Sequence, residues 1–280
     1  MNINSESKTK STVWVVENGK INSRSDQIAT EEPLEIRLIA GEIRRTIAVT
    51  MRTPGNDFDL AAGFLFTEGI INSRENIRRL NHCIDRNIKT ENRYNIINVE
   101  LNQDTLPELA PLERHFFTTS ACGVCGKNSL ESLRLRGCDI IPNNWQVSAD
   151  VFPHLPDKLR NSQRIFSSTG GLHAAALFNL QGELLNVRED VGRHNALDKL
   201  IGSVLLSNEL PLNNSIVLVS GRASFELLQK SLAAKVPIVC AVSAPSSLAV
   251  QLAQEFNITL IGFLRGKRYN IYSGLERIKL

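Results

Sequence analysis

Residues 166–280 carry unbroken apolar runs separated by stretches with helical spacing. The apolar runs occupy 215–220, 237–242 and 258–263, and the helical stretches occupy 194–206, 225–234 and 247–255. A strand that is apolar at every position is buried on both faces, and its alternation with helices is typical of a parallel sheet covered by helices. A hairpin with strands at 174–178 and 184–187 precedes them. We therefore predict an α/β sandwich with parallel central strands whose loops meet at one edge.

The first half of the chain shows a different pattern, in which apolar and polar positions alternate. Strands are predicted at 34–39, 45–51 and 94–101, and Asn56 or Asp57 is predicted to cap a helix with an apolar face. This pattern indicates a smaller, strand-rich α+β unit. The predicted division is a flexible segment at 1–28, an N-terminal domain at 29–138 and a C-terminal domain at 139–280, which begins with a proline-containing connector and a short helix.

Composition and charge exclude several classes of protein. The 280 residues are 42% hydrophobic and 22% charged, with a formal net charge of +3, so no global basic field favours nucleic acid. The N-terminus lacks the apolar core of a signal peptide, and no apolar run reaches the roughly 20 residues that span a bilayer. We expect a cytoplasmic protein without membrane or nucleic-acid partners. Its five cysteines are too few for a disulfide framework, and an odd number cannot all pair.

Cys122 and Cys125 form a Cys-x-x-Cys pair between glycines, followed by Lys127. Such a pair either holds a metal or performs sulfur chemistry, with one thiolate as the nucleophile. Structural zinc needs four ligands, and the remaining cysteines and histidines show no second pair at ligand spacing. Sulfur chemistry is therefore favoured, while a zinc module and a pair of inert buried thiols remain alternatives.

Three loops after predicted strands carry groups suited to anions. Arg193 stands at a strand-to-helix junction with Asp190, which is suited to base or sugar hydroxyls, and Ser220 and Arg222 open the next helix. The segment after the last strand adds Arg265, Lys267 and Arg268. The pattern indicates a site for a phosphate-rich ligand of nucleotide size, although solvated turns and a solvated basic tail are the plain alternatives. His173 is either a general acid or base, or a hydrogen-bonded core histidine.

Six motifs, taken in order, resemble the formate dehydrogenase accessory sulfurtransferases, the FdhD family. They are MRTPGNDFDLAAGFLFTEGII at 51–71, SACGVCGK at 120–127, TGGLHAAAL at 169–177, REDVGRHNALDK at 188–199, SGRASFE at 220–226 and GFLRGKRYNIY at 262–272. The resemblance covers nearly all of residues 33–275. It implies a C-terminal domain like the cytidine deaminase fold, and a homodimer.

The resemblance also implies an activity, a cargo and site residues. Members take sulfur from a cysteine desulfurase as a persulfide and pass it to the molybdenum cofactor, as bis(molybdopterin guanine dinucleotide), before its insertion into the formate dehydrogenase catalytic subunit. Cys122 then carries the persulfide and Cys125 assists. The cofactor is expected as bound substrate, with GDP as a surrogate ligand and no permanent metal. The cofactor-binding segment of the family falls here on Phe263, Leu264, Arg265, Gly266, Lys267 and Arg268. The loops after the preceding strands add Arg193, His194, Asp198, Ser220 and Arg222 to the expected cofactor contacts.

Two rival functions belong to other classes. A zinc deaminase needs a His-x-Glu motif and a Pro-Cys-x-x-Cys motif, but no histidine here is followed two positions later by Glu and Ala121 precedes Cys122. A chaperone that binds the cofactor and the apoenzyme without moving sulfur is the non-enzymatic alternative.

Overall fold

The computed structural model of the chain describes residues 6–107, 130, 133, 138–142 and 145–280. Its strands are β1 Lys8–Glu17, β2 Lys20–Ala29, β3 Glu32–Ala40, β4 Ile43–Arg52, β5 Ile77–His82, β6 Ile96–Leu101, β7 Val147–Ser148, β8 His173–Asn179, β9 Leu184–Asp190, β10 Ser215–Val219, β11 Ile238–Ala241, β12 Thr259–Arg265, β13 Arg268–Ser273 and β14 Ile278–Lys279. Its α-helices are α1 Asp57–Thr67, α2 Thr90–Arg93, α3 Leu155–Ser162, α4 Phe166–Thr169, α5 Arg193–Leu206, α6 Phe225–Ala233 and α7 Ser247–Glu255.

The larger sheet has six strands in the order β13-β12-β11-β10-β8-β9. The central strands β10, β11 and β12 are parallel, as predicted, and β8 and β9 form the expected antiparallel hairpin. Helices α5, α6 and α7 cover one face, while α3 and the segment around Phe152 pack on the other. Burial on both faces explains why the central residues of these strands are apolar.

The smaller sheet has four strands in the order β4-β3-β6-β5, and α1 covers its inner face. Alternate residues of β3, among them Leu34, Ile36 and Leu38, are completely buried against that helix. The intervening residues of β3 face outward and are partly exposed. The alternation of apolar and polar residues in the sequence therefore reflects alternate burial of the side chains along the strand. The two sheets confirm a mixed α/β fold. The proposed boundary at residue 138 stays a prediction.

Helices α1 and α5 join the two halves at an unusually close crossing. A Cβ atom added at Gly63 would lie 1.9 Å from the Asp198 carbonyl oxygen, and one at Gly202 would lie 1.9 Å from the Asp59 carbonyl oxygen. Real Cβ atoms do not approach other atoms so closely, so only glycine permits this crossing. The two glycines therefore fix the distance between the N-terminal and C-terminal sheets.

Two local expectations differ from the structure. Residues 8–29 form a two-stranded ribbon, β1–β2, where the sequence predicted no strands; in it Lys8 pairs with Ala29 and Glu17 with Lys20. Its turn residues Asn18 and Gly19 both have positive φ, which is the backbone that Asn-Gly hairpin turns adopt.

Asn56 does precede α1, but in a left-handed conformation with no side-chain capping bond. The Asp57 carboxylate instead pairs with the buried Arg52 guanidinium at 2.9 Å. In the described part of the chain, no helix is long and apolar enough to cross a membrane.

Candidate functional site

The carboxyl ends of β10, β11 and β12 lie side by side at one edge of the larger sheet. We call this edge, with the loops that follow the strands, the loop edge. Its loops are residues 220–224, 242–246 and 263–268. Backbone hydrogen bonds connect these loops. The Ala223 amide donates to the Ala244 carbonyl at 3.2 Å, and the Phe263 amide donates to the Ser243 carbonyl at 3.1 Å. Because the three strands are parallel, the loops that follow them converge, as the sequence predicted.

Three helices begin at this edge. Helix α5 follows β9, α6 follows the loop after β10, and α7 follows the loop after β11. Since β9 and β10 both run antiparallel to β8, they end at the same edge of the sheet. The first amides of a helix lack intrahelical acceptors and carry a partial positive charge, so three such ends favour an anion.

Arg193, His173 and Gly221 meet at the start of α5. A Cβ atom at Gly221 would lie 3.3 Å from His173 Nδ1 and 4.0 Å from Arg193 Cδ, so glycine leaves these two side chains in contact with the loop. The Nε atom of Arg193 is buried and has no hydrogen-bond partner among the described residues. A buried donor without an acceptor is costly, so a ligand oxygen at this position would stabilise it.

His173 begins β8 and is paired in register with Asp190. Burial lowers the pKa of His173, electrostatic interaction with Arg193 and His194 lowers it further, and Asp190 opposes them. The imidazole is therefore neutral at pH 7 and can accept or donate one hydrogen bond. The structure gives a specific environment to a histidine for which the sequence left two roles open.

His194 and Ser220 lie at the loop edge but already have protein partners. His194 Nε2 lies 2.9 Å from the Glu226 carboxylate, and this hydrogen bond is the main cause that lowers the pKa of Glu226. Ser220 Oγ accepts a hydrogen bond from the Ala174 amide at 2.9 Å, which attaches the loop after β10 to β8. Arg222, in the same loop, is exposed.

The predicted segment from Phe263 to Arg268 continues the loop edge as the end of β12 and its turn into β13. Phe263 has a φ of 53° and is 43% exposed, so its ring is open to solvent. Arg265, Gly266, Lys267 and Arg268 are exposed, and Arg265 Nε donates to the Val242 carbonyl at 3.1 Å. Leu264 instead points into the core and is fully buried, so only its backbone is available to a ligand.

Asp198 is the member of the predicted set that the structure separates from the loop edge. It is 2% exposed and its carboxylate contacts Lys230 Nζ at 3.0 Å and Thr67 Oγ1 at 2.8 Å. Burial raises the pKa of Asp198, while the Lys230 ammonium and the Thr67 hydroxyl oppose that effect. A ligand on the loop edge does not reach this carboxylate, so we remove Asp198 from the candidate site and assign it a structural role.

Asp190 is a buried carboxylate that binds groups on both sides of the junction between the 53–56 turn and the start of α5. Its carboxylate lies 2.7 Å from Lys199 Nζ and accepts from the amides of Thr53 and Gly192 and from Asn195 Nδ2. With four donors and no exposed surface, Asp190 has no capacity left for the sugar hydroxyls that the sequence suggested. Its function is to fix the 53–56 turn of the N-terminal half against the first turn of α5.

This connection was not foreseen, although its residues lie in two of the motifs. Asn195 Nδ2 also donates to the Met51 carbonyl at 2.7 Å, and Lys199 Nζ donates to the Thr53 carbonyl at 2.7 Å. The N-terminal sheet therefore supports the loop edge directly. The polar residues that both motifs contain were the only sequence feature that could have indicated this contact.

Cys122 and Cys125 lie outside the described residues, so their predicted role stays a prediction. Among the described cysteines, Cys83 and Cys240 are buried and Cys138 is partly buried. Burial raises the pKa of Cys240, which makes its thiol a poor nucleophile. No group of three potential metal ligands occurs in the part of the chain that the structure describes.

An expected pH response follows from the surroundings of His173. Replacing Arg193 with Gln removes a positive charge beside the imidazole, so the pKa of His173 should rise toward its ordinary value of about 6.5. In the wild type the unfolded histidine binds protons more readily than the folded one, so its contribution to stability decreases as pH falls below about 6.5. Proton NMR titration of the imidazole measures the shift.

Lys267→Gln is the matched control for that titration, because Lys267 does not contribute to the shift of His173. The control should leave the titration midpoint where it is in the wild type. An unchanged midpoint in Arg193→Gln would show that Arg193 does not act on this imidazole.

Comparison with known proteins identifies the family of this chain. Residues 29–279 match the family described as FdhD/NarQ. A protein of Streptomyces coelicolor named "Sulfur carrier protein FdhD" is 48% identical over 270 residues, covering 95% of this chain and 93% of its own. Proteins with the same name from Mycolicibacterium paratuberculosis and Sulfurisphaera tokodaii are 50% and 45% identical, covering 93% and 90% of this chain and 94% and 92% of their own.

A solved structure shares the fold. A protein from Desulfotalea psychrophila, described as a formate dehydrogenase accessory protein, superposes with a TM-score of 0.75 at 26% identity, covering 98% of this chain and 100% of its own. The family match and the relatives extend over almost the whole chain, and the matched range 29–279 includes the loop edge. The chain belongs to the FdhD/NarQ family.

Proposed function

We propose that this chain is a sulfurtransferase that serves formate dehydrogenase. Cys122 accepts sulfur from a cysteine desulfurase as a persulfide, and the sulfur passes to molybdenum in the bis(molybdopterin guanine dinucleotide) cofactor, held as substrate at the loop edge. The relatives named sulfur carrier proteins support the sulfur half. The observation that carries the cofactor half is Arg193 Nε at the start of α5, because it is buried and has no hydrogen-bond partner within the described part of the chain.

The loop edge offers what a guanine dinucleotide requires. Phosphate oxygens accept hydrogen bonds from helix N-terminal amides and from guanidinium groups, and Arg193, Arg222 and Arg265 supply the latter. The exposed ring of Phe263 offers a surface on which a purine base can stack. The neutral His173 adds a donor or acceptor without adding charge.

The proposed sulfur chemistry balances with two thiols. The Cys122 thiolate attacks the outer sulfur of the desulfurase persulfide, so a new S–S bond forms on Cys122 and the desulfurase thiolate leaves. The Cys125 thiolate then attacks the inner sulfur, the outer sulfur leaves as sulfide toward molybdenum, and a Cys122–Cys125 disulfide remains. The dithiol thereby supplies the two electrons that reduce sulfane sulfur to sulfide. A thiol reductant must regenerate the pair before the next cycle.

The proposal includes the description of residues 139–280 as a cytidine-deaminase-like domain. An antiparallel hairpin, β8–β9, followed in the sheet by the parallel strands β10, β11 and β12 supports it. Fold likeness does not transfer chemistry, and the motifs of a zinc deaminase are missing from the sequence. The scaffold is therefore proposed to hold the nucleotide ends of the cofactor without deamination.

The cofactor half predicts that GDP binds to the loop edge. GDP presents the guanine base and a diphosphate, so Arg222→Ala and Arg265→Ala should each weaken its binding by about tenfold, as expected for the loss of one charge-assisted hydrogen bond. Isothermal titration calorimetry of the purified protein measures these affinities. Affinity should also fall as salt is raised, because the contacts are ionic.

Arg78→Ala provides the matched control, since Arg78 is also exposed but belongs to β5 in the other sheet. Its affinity for GDP should equal that of the wild type. If the wild type does not bind GDP, or if all three variants bind it equally well, the cofactor is not held at the loop edge.

A further inference from the structure

The imidazole of His173 lies at the loop edge without a hydrogen-bond partner. Strand β8, which His173 begins, runs antiparallel to β9 and β10, so its first residue stands beside their carboxyl ends. The side chain is partly exposed, and its ring makes no hydrogen bond to any described residue. The charged or titratable groups around it are Arg193 and His194 of α5 and Asp190 of β9. Its hydrogen-bonding capacity is therefore left for a ligand.

Arg193, beside this ring, has no carboxylate partner in the part of the chain that the structure describes. Its Nε atom is buried and finds no acceptor there. Other partly or fully buried arginines bind a carboxylate at 2.7 to 2.9 Å, namely Arg37, Arg52 and Arg188. The Glu226 carboxylate, on which the charge of Arg193 acts, is bonded to His194 instead. The guanidinium of Arg193 is thus unusual in this protein, because its charge is left for a ligand to neutralise.

The first turn of α5 adds backbone donors to these side chains. The residue before the helix is Gly192, which has no side chain to cap it, and the first amide with a helical partner is that of Ala196. The three preceding amides of the helix therefore have no acceptor among the described residues. Helix α7 differs, because Ser246 Oγ accepts from the Ala249 amide at its start.

Gly221 brings the imidazole and the guanidinium together. A Cβ atom at this position would lie 3.3 Å from His173 Nδ1 and 4.0 Å from Arg193 Cδ, so both side chains border the same glycine. Amides, guanidinium and imidazole are thus three kinds of donor in one place, and no described residue accepts from them. A phosphate group has several acceptor oxygens and can bond to donors of all three kinds.

We infer, on the basis of the proposed function, that His173 and Arg193 bind the same phosphate group of the ligand and that the imidazole takes up one proton from solvent when this group binds. In the free protein, burial and the neighbouring guanidinium lower the pKa of His173 and keep the ring neutral. A phosphate anion within hydrogen-bond distance favours the charged ring, which then donates to the phosphate. The proton is the only atom transferred, and no covalent bond to phosphorus changes.

Proton binding and phosphate binding strengthen each other, because the coupling between two ligands is reciprocal. The pKa of His173 is higher in the complex than in the free protein. The affinity for phosphate is therefore greatest at low pH and decreases as pH rises through the pKa of the imidazole in the complex. The site holds its phosphate ligand more tightly in a more acidic solution.

Isothermal titration calorimetry with GDP tests this coupling. At pH 7, titrations in two buffers of different ionisation enthalpy should show that the wild type takes up about half a proton more per GDP than His173→Gln does. From about pH 8 to about pH 6, the affinity of the wild type should rise by about tenfold relative to that of the variant. The terminal phosphate of GDP itself gains a proton at about pH 6, and the variant corrects for this effect.

Proton NMR of the wild type measures the same coupling without a substitution. The titration midpoint of the His173 ring should rise when saturating GDP is added. For calorimetry, His154→Gln is the matched control. His154 is exposed, and its neighbour Leu155 lies beside Gly182 in the β8–β9 turn, at the opposite edge of the sheet. This variant should take up protons like the wild type.

The outcomes separate this role of His173 from the cofactor site itself. If GDP binds but His173→Gln takes up as many protons as the wild type, or if the NMR midpoint does not rise, His173 does not become charged, although GDP is still held by the protein. Loss of proton uptake in His154→Gln would likewise contradict the role of His173. If GDP does not bind at all, both the cofactor site and the role of His173 are wrong.

Discussion

Replacing Cys122 with Ala is expected to abolish the maturation of formate dehydrogenase. The proposed reaction needs a thiolate at this position to hold the transferred atom, and alanine has no group that can replace it. Enzyme activity in cells that depend on the variant should fall by about 100-fold or more, to the level of cells that lack the protein. GDP affinity should be unchanged, because the loop edge keeps all its arginines and helix N-termini.

Cys138→Ala is the matched control for that experiment. Cys138 is partly buried beside the core of the C-terminal half and has no place in the proposed relay. Formate dehydrogenase activity should persist in this variant. If activity also persists in Cys122→Ala, the persulfide assignment is wrong, whereas loss of GDP binding in Cys122→Ala would indicate general damage to the protein.

Gly63→Ala is expected to have the largest effect on folding. The new Cβ atom would lie 1.9 Å from the Asp198 carbonyl oxygen and 2.8 Å from the Gly202 amide nitrogen, so α1 and α5 must separate. Alanine favours an isolated helix by only about 1 kcal/mol, whereas separating two packed backbones costs about 3 kcal/mol or more. Equilibrium denaturation should show that loss in the free energy of unfolding, or the variant should fail to accumulate in soluble form.

Gly171→Ala separates this effect from a general sensitivity to glycine replacement. A Cβ atom there would meet Ala29 Cβ at an ordinary 3.6 Å, so the free energy of unfolding should change by less than about 0.5 kcal/mol. If Gly63→Ala is as stable as Gly171→Ala, the helices can separate freely and the described crossing is not a constraint.

Local sequence patterns predicted the elements that depend on burial alone. The apolar runs of β10, β11 and β12 and the helices between them were located within one or two residues, because a strand buried on both faces has a continuous apolar centre. The convergence of the loops after these strands at one edge of the sheet then followed from the parallel order of the strands. The strands of the ribbon were not predicted although Asn18-Gly19 is a strong hairpin signal, because the Ser, Asn and Lys content of residues 1–28 indicated a flexible segment.

The buried charges could not be predicted, because their partners are distant in sequence. Asp190 accepts from the Thr53 amide across 137 positions, and nothing near Asp190 indicates that it faces inward. Asp198 stands one position before Lys199, and both resemble solvent-exposed helix residues, yet each is neutralised by a different buried partner. Of the charged residues at which the sequence suggested ligand contacts, Arg222 and Arg265 are exposed at the loop edge, whereas the carboxylates Asp190 and Asp198 are buried and bonded to protein groups.

Peptide mass spectrometry after incubation with a cysteine desulfurase and cysteine tests the central claim most directly. Sulfur transfer predicts that the peptide with Cys122 gains the mass of one or more sulfur atoms, that a reductant removes the gain, and that Cys125→Ala still acquires it. A wild-type protein that supports formate dehydrogenase while its Cys122 peptide never gains sulfur would contradict the account and favour a chaperone that only binds the cofactor.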